Sequence, residues 1–156
     1  MKQLQNIKER LLVAPISING TDATLLDLFD LGDAGAAYSE VEITVHFGTM
    51  GANASAVVVK EHTTNIAGAG SSAAWISAAT AVSGGTFTVA NLTSANAANK
   101  TFVCYVPVGG TRKRYLGVQV TAGAGATLVS VTARGIPGLM PNTATKLNVV
   151  EALYAS

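Results

Sequence analysis

The stretch from Lys113 to Gly135, KRYLGVQVTAGAGATLVSVTARG, restricts the fold more than any other part of the chain. Leu116, Val118 and Val120 alternate with Tyr115, Gly117, Gln119 and Thr121, and Val129, Val131 and Ala133 alternate with Leu128, Ser130, Thr132 and Arg134. A period of two gives each segment one buried face, as a β-strand requires. The joining residues Ala122-Gly123-Ala124-Gly125-Ala126 can take positive φ at either glycine. Reversal there carries no steric cost, so the two strands are expected to form a hairpin.

The same alternation recurs elsewhere. In Ser39 to Thr49, Val41, Ile43, Val45 and Phe47 point one way and Glu40, Glu42, Thr44 and His46 the other, giving a half-solvated strand. Ser55 to Thr63 is its partner, and the run Val57-Val58-Val59 predicts cover on both faces at its centre. Lys100 to Val108 reads as a further strand, with Pro107 at its end or on an edge. From Asn65 to Asn99 the pattern weakens into loop, with short strands expected at Ala74 to Ser77 and Thr86 to Val89. Residues 21 to 33 read as a strand ending in the turn at Asp30-Leu31-Gly32-Asp33. Seven or eight short strands separated by Gly, Ala, Ser and Asn turns make an all-β, antiparallel β-sandwich of jelly-roll type.

The 156 residues suit one domain: an N-terminal arm at 1–20, the sandwich at 21–136, and a C-terminal tail at 137–156. In the arm, Leu4, Ile7, Leu11 and Leu12 fit either a short helix or an extended segment that owes its order to packing on something else. In the tail, Leu147, Val149, Val150, Leu153 and Tyr154 need a partner, either this domain's own sheet or a neighbouring subunit. Leu4, Ile7, Leu11, Leu12, Leu147, Val150, Leu153 and Tyr154 are therefore the expected interface residues.

Charged residues make up 12% of the chain, against roughly 25% in typical soluble proteins. A surface of small neutral side chains allows close approach of other chains with little charge to desolvate, which suits packed assemblies. The net charge of +1 supplies no field to gather nucleic acid or an anionic membrane. No window is long and apolar enough for a membrane span, and MKQLQNIKERLLVAP does not read as an export signal.

Chemistry-bearing motifs are weak. Asp27, Asp30 and Asp33 lack the alternate oxygen ligands and final glutamate of a calcium loop, and two histidines, His46 and His62, are too few for a typical His-rich site, so no metal is expected. Glu40 and Glu42 share a face but read as solvated rather than as an acid/base couple. Cys104, between Val103 and Tyr105, reads as a buried inert thiol. Arg112-Lys113-Arg114 reads as a solvated flank rather than a phosphate site. No dinucleotide fingerprint, phosphate-binding loop or hydrolase elbow is present. The chain is thus expected to be no enzyme and to need no cofactor.

Three pieces in order, the Asp30-Leu31-Gly32 turn before EVEITVHF, the Pro107-x-Gly109 turn before Lys113-Arg114-Tyr115-Leu116, and the closing VTARG, resemble the capsid decoration, or cementing, proteins of tailed bacteriophages. The resemblance covers roughly Asp30 to Gly135. It implies a jelly-roll protein made in the host cytoplasm that joins the outer surface of the mature virion, as a homotrimer, and clamps neighbouring major capsid protein subunits, with no nucleic-acid or membrane contact. The competing reading is a carbohydrate-binding or receptor-binding sandwich of a virion. Such modules present aromatic platforms, and with aromatics at 6% the one candidate is Trp75.

Overall fold

The computed structural model describes residues 8–32, 38–109, 111–136 and 149–155. Nine strands run in chain order: β1 Glu9–Ile18, β2 Phe29–Asp30, β3 Glu40–Met50, β4 Ala54–His62, β5 Thr80–Thr86, β6 Thr101–Pro107, β7 Tyr115–Ala122, β8 Thr127–Ile136 and β9 Val149–Tyr154. Short helices α1 Ile66–Ala69, α2 Ser72–Ala78 and α3 Ser94–Ala97 interrupt them. One sheet has the order β1-β8-β3-β6-β9, the other β2-β7-β4-β5. Among the described residues all strand pairings are antiparallel except β6 with β9. The protein is an all-β sandwich.

The alternation read from the sequence is what closes the two sheets on each other. Val41, Ile43 and Val45 of β3, Val131 and Ala133 of β8, and Phe102, Cys104 and Val106 of β6 are fully buried from one sheet. Val57 and Val59 of β4 and Leu116, Val118 and Val120 of β7 meet them from the other. Each such side chain contributes on the order of 1.5–3 kcal/mol before the entropy of ordering is subtracted. Edge-to-face contacts of Phe102 with Phe47 and Phe87, both at 5.6 Å between centroids, fill the end of this core.

The expected hairpin between the two most regular strands does not form. β7 pairs with β2 and β4, β8 with β1 and β3, so the glycine-rich connection crosses from one sheet to the other. Its glycines are required by close backbone approach: a Cβ on Gly123 would lie 2.6 Å from the Asn53 carbonyl oxygen, to which the Gly123 N–H donates at 2.9 Å. A Cβ on Gly125 would lie 2.7 Å from the Gly51 carbonyl carbon. Neither Gly123 nor Gly125 takes positive φ. Periodicity specifies which face is buried and is silent on which sheet supplies the neighbour.

Further expectations are corrected. The strands at Ser39 to Thr49 and Ser55 to Thr63 are not partners, since β3 pairs with β6 and β8 while β4 pairs with β5 and β7 in the other sheet. Ala74 to Ser77 is helical, within α2, because Ser71 caps the Ala74 N–H at 3.1 Å and an alanine-rich run follows. The strand expected at 86–89 lies earlier, as β5, and Val89 begins a 3-10 turn. Of the two forms expected for the first arm, the described residues 9–18 take the extended one, ordered by packing on the domain itself: β1 is a sheet strand with Leu12 and Val13 completely buried. Leu12 is therefore core rather than interface, and the sandwich starts well before residue 21. In the tail, β9 joins the domain's own β6, with Leu153 half-buried against the core and Ala155 buried.

The segment 63–79 covers the outer side of the β2-β7-β4-β5 sheet. Trp75 is fully buried there, its indole Nε1 donating to the Thr64 carbonyl at 2.7 Å, with His62 edge-on at 6.2 Å. Lys60 Nζ donates to the Ile76 carbonyl at 2.6 Å, tying α2 to β4. The contact depends on a missing side chain. A Cβ at Gly117 would lie 2.7 Å from Trp75 Cζ3 and 2.8 Å from Leu28 Cδ2. Gly117→Ala is expected to destabilise the fold by about 1–3 kcal/mol through overpacking, read as a lower urea midpoint with an unchanged slope.

Candidate docking face

The two sheets differ in what covers their outer sides. One carries α1 and α2; on the other, the portion formed by β1, β8 and β3 is open among the described residues. Its outward side chains pair across strands: Thr44 with Thr132, His46 with Ser130, Leu11 with Thr132, and Ser17 with Leu128. Leu11 and Leu128 are 44% and 42% exposed. Leu128 lies across Gly48 of β3, where a Cβ would come within 2.7 Å of its Cδ2. Toward β6 the face closes, since Val103 and Tyr105 are buried on the outward register.

Charge on this face is confined to its end. Arg134 Nη2 donates to both carboxylate oxygens of Glu42, at 3.0 and 3.1 Å. His46 Nδ1 is 3.1 Å from Thr101 Oγ1. The strip between Leu11 and Leu128 thus presents hydroxyls, one imidazole and two aliphatic side chains. A second protein could cover it without stripping water from a formal charge. The sequence marks Thr44, His46, Ser130 and Thr132 as one outward set per strand, but the pairing that joins them into one surface is tertiary.

Of the residues expected at an interface, Leu11 lies on this strip and Leu12 beneath it. Leu153 faces the core beside Cys104. Val150 and Tyr154 belong to β9, while Leu4, Ile7 and Leu147 lie outside the described residues. Trp75 is too deep to act as a saccharide platform.

The basic tripeptide does not gather into a positive patch. Arg114 binds Asp30 through Nε at 2.8 Å and Nη2 at 2.9 Å, and its guanidinium sits 5.1 Å from the Tyr115 ring centroid. Arg112 Nη1 donates to Glu61 Oε2 at 3.3 Å, where the Lys113 backbone N–H also donates. Lys113 Nζ donates to Thr80 Oγ1 at 2.9 Å. A cleft of about 410 Å³ near the start of β1 is lined by Lys8, Arg10, Asp27 and Asp30, among others. Both carboxylates already have partners in Arg10 and Arg114. Among the described residues no group of three or more His, Cys, Asp or Glu is placed to hold a metal ion.

Burial pushes the Cys104 thiol up to about 12, so it remains protonated. Hydrogen bonds from Arg114 hold the Asp30 carboxyl below its usual range, against the opposing effect of burial. Burial, reinforced by the neighbouring charge of Glu42, raises Glu40. The two carboxyls act oppositely on stability. Asp30 ionises more readily folded than unfolded, so its contribution is present above the unfolded value and is lost as pH falls through the folded one. Glu40 holds its proton more tightly when folded, so it costs stability once pH rises through that window. Arg114→Gln is expected to move acid unfolding to higher pH. Glu40→Gln is expected to stabilise the protein at pH 7 and to lose that advantage below about pH 4.5, near the ordinary glutamate value. Urea titrations across pH read both.

Comparison with protein-family models, with curated proteins and with solved structures gives no match to this chain.

Proposed function

We propose that the protein is a virion structural protein that decorates the outer surface of a mature bacteriophage capsid and cements it by bridging major capsid protein subunits. The observation that carries this reading is the strand order. With β1-β8-β3-β6 facing β2-β7-β4-β5, successive strands from β1 to β8 alternate between sheets as in a jelly roll apart from β4 and β5, the one consecutive pair among the described residues that hydrogen-bonds. That order supports the jelly-roll form expected from the resemblance to decoration proteins. The reading needs no catalytic residue, cofactor or nucleic-acid contact.

The open strip on β1, β8 and β3 supplies the docking surface. One such face makes a modest contact. Three copies in a homotrimer gripping neighbouring capsid subunits raise one another's effective concentration, and the modest contacts become a clamp against internal pressure.

Native mass by light scattering across a dilution series, followed by co-sedimentation with undecorated heads, tests the proposal. A trimer that co-sediments is expected; a monomer at every concentration that does not bind heads overturns it. Removing residues 1–14 would take Leu12 and Val13 from the core and unfold β1, so the informative deletion is residues 1–7. It is expected to leave the urea midpoint unchanged and to weaken attachment. The double variant Leu11→Glu, Ser130→Glu places charge on the open strip and is expected to lower head affinity at least tenfold with folding intact; unchanged affinity would remove this face from the mechanism.

A further inference from the structure

The cleft of about 410 Å³ lies where four separate pieces of chain meet: the start of β1, residues 26–30, the first turn of α1 and the start of β7. Each piece is fixed by its own backbone bonds. Arg10 lies opposite Ala133 in the β1–β8 ladder, and Asp30 opposite Tyr115 in the β2–β7 ladder. The Leu26 N–H donates to the Leu12 carbonyl at 2.8 Å, and the Gly135 N–H to that of Lys8 at 2.8 Å. Asn65 caps α1, its Oδ1 accepting from the Gly68 N–H at 2.7 Å. The lining is therefore built before any ligand arrives, which lowers the ordering cost of binding.

Among the described residues the charges lining the cleft balance, with Lys8 and Arg10 against Asp27 and Asp30. An anion drawn to the first two meets the carboxylates, and a cation drawn to the carboxylates meets the first two. A hydroxyl suits both, because it donates and accepts at once. Asp30 is held by two Arg114 nitrogens, at 2.8 and 2.9 Å. The other pair is looser. Arg10 Nη1 and Asp27 Oδ2 stand 3.7 Å apart, wider than a hydrogen bond, with side chains 45% and 51% exposed. A hydroxyl oxygen beside them can accept from Arg10 and donate to Asp27 together, and the Asn65 Nδ2 adds a further donor.

The apolar part of the lining fits the same kind of molecule. Leu26 is 59% exposed between the buried Leu25 and Leu28. It lines the cleft together with Ile66 and Tyr115, both of which pack partly on the core. Aliphatic and aromatic surface set among paired donors and acceptors matches a ring that carries hydroxyls round its edge and C–H groups on its faces. We propose that this cleft binds a neutral saccharide. The sugar hydroxyls bridge Arg10 and Asp27, and its C–H surface rests on Leu26 and Tyr115. Among the described residues the cleft shares no lining residue with the open strip of β1, β8 and β3, so this inference goes beyond the docking reading and stands or falls separately from it.

Saturation-transfer NMR on the full-length protein, followed by calorimetric titration, tests the proposal. Maltotriose, cellotriose, mannotriose and N-acetylchitotriose are the neutral probes; galacturonic acid and glucosamine are the charged ones. Arg10→Gln and Asp27→Asn each alter one half of the bridging pair, and Val89→Ser changes an exposed apolar residue outside the cleft. The expected result is that at least one neutral probe binds, that each cleft variant weakens it at least fivefold at an unchanged urea midpoint, and that Val89→Ser has no effect. Leu26→Ser, at an exposed position of the cleft, is also expected to weaken binding, so a folding defect at either charged position does not decide the result. Failure of every neutral probe to bind overturns the proposal, as does binding of the charged probes alone. Neutral binding that Arg10→Gln, Asp27→Asn and Leu26→Ser all leave intact overturns it as well, by placing the sugar elsewhere.

Discussion

The mutual burial of two alternating faces organises this molecule. Val41, Ile43 and Val45 from one sheet and Val57, Val59, Val118 and Val120 from the other are completely buried in one hydrophobic cluster. Once the faces meet, their outer sides are left to separate fates. The β2-β7-β4-β5 sheet is covered by the chain itself, through Trp75, Leu28 and Ile76 packed over the bare backbone of Gly117. Among the described residues the β1-β8-β3 portion of the other sheet is left open, with its charges drawn to one end.

That asymmetry connects packing to the functional proposal. A face that is uncharged over most of its area and built on continuous sheet is rigid and cheap to desolvate, the two properties a structural clamp needs. The ionic groups elsewhere mostly satisfy one another. Arg114 with Asp30, Arg112 with Glu61 and Arg134 with Glu42 each join segments distant in sequence, and together they leave little charge to attract a ligand from afar. The cementing proposal draws on the strand order and on the open face of the β1-β8-β3 portion.

The strands of this fold were legible from the chain because each carries its own periodicity. Val41 to Phe47, Leu116 to Val120 and Val129 to Ala133 announce both their extent and their buried side, since a strand half in contact with a core has no other pattern available. Cys104 was legible as a buried thiol from its apolar neighbours. The error at residues 74–77 has the same origin seen in reverse: Trp75 and Ile76 are apolar neighbours in a small-residue segment, and so short a run does not distinguish strand from helix until the Ser71 cap is seen.

What lay beyond the sequence was pairing. The alternation in Tyr115–Ala122 and Thr127–Ile136 determined that both are strands with one face inward, and Gly123 and Gly125 determined that the link between them is tight. Only tertiary structure decided that the link crosses the sandwich instead of closing a hairpin, because strand partnership depends on backbone groups that every residue shares and on contacts tens of residues away. The same reason separates Leu12 from Leu11. Composition marked both as sticky, and a register shift in β1 between Leu11 and Val13, set by the pairing with β8, turned Leu12 and Val13 into the core and left Leu11 on the open surface.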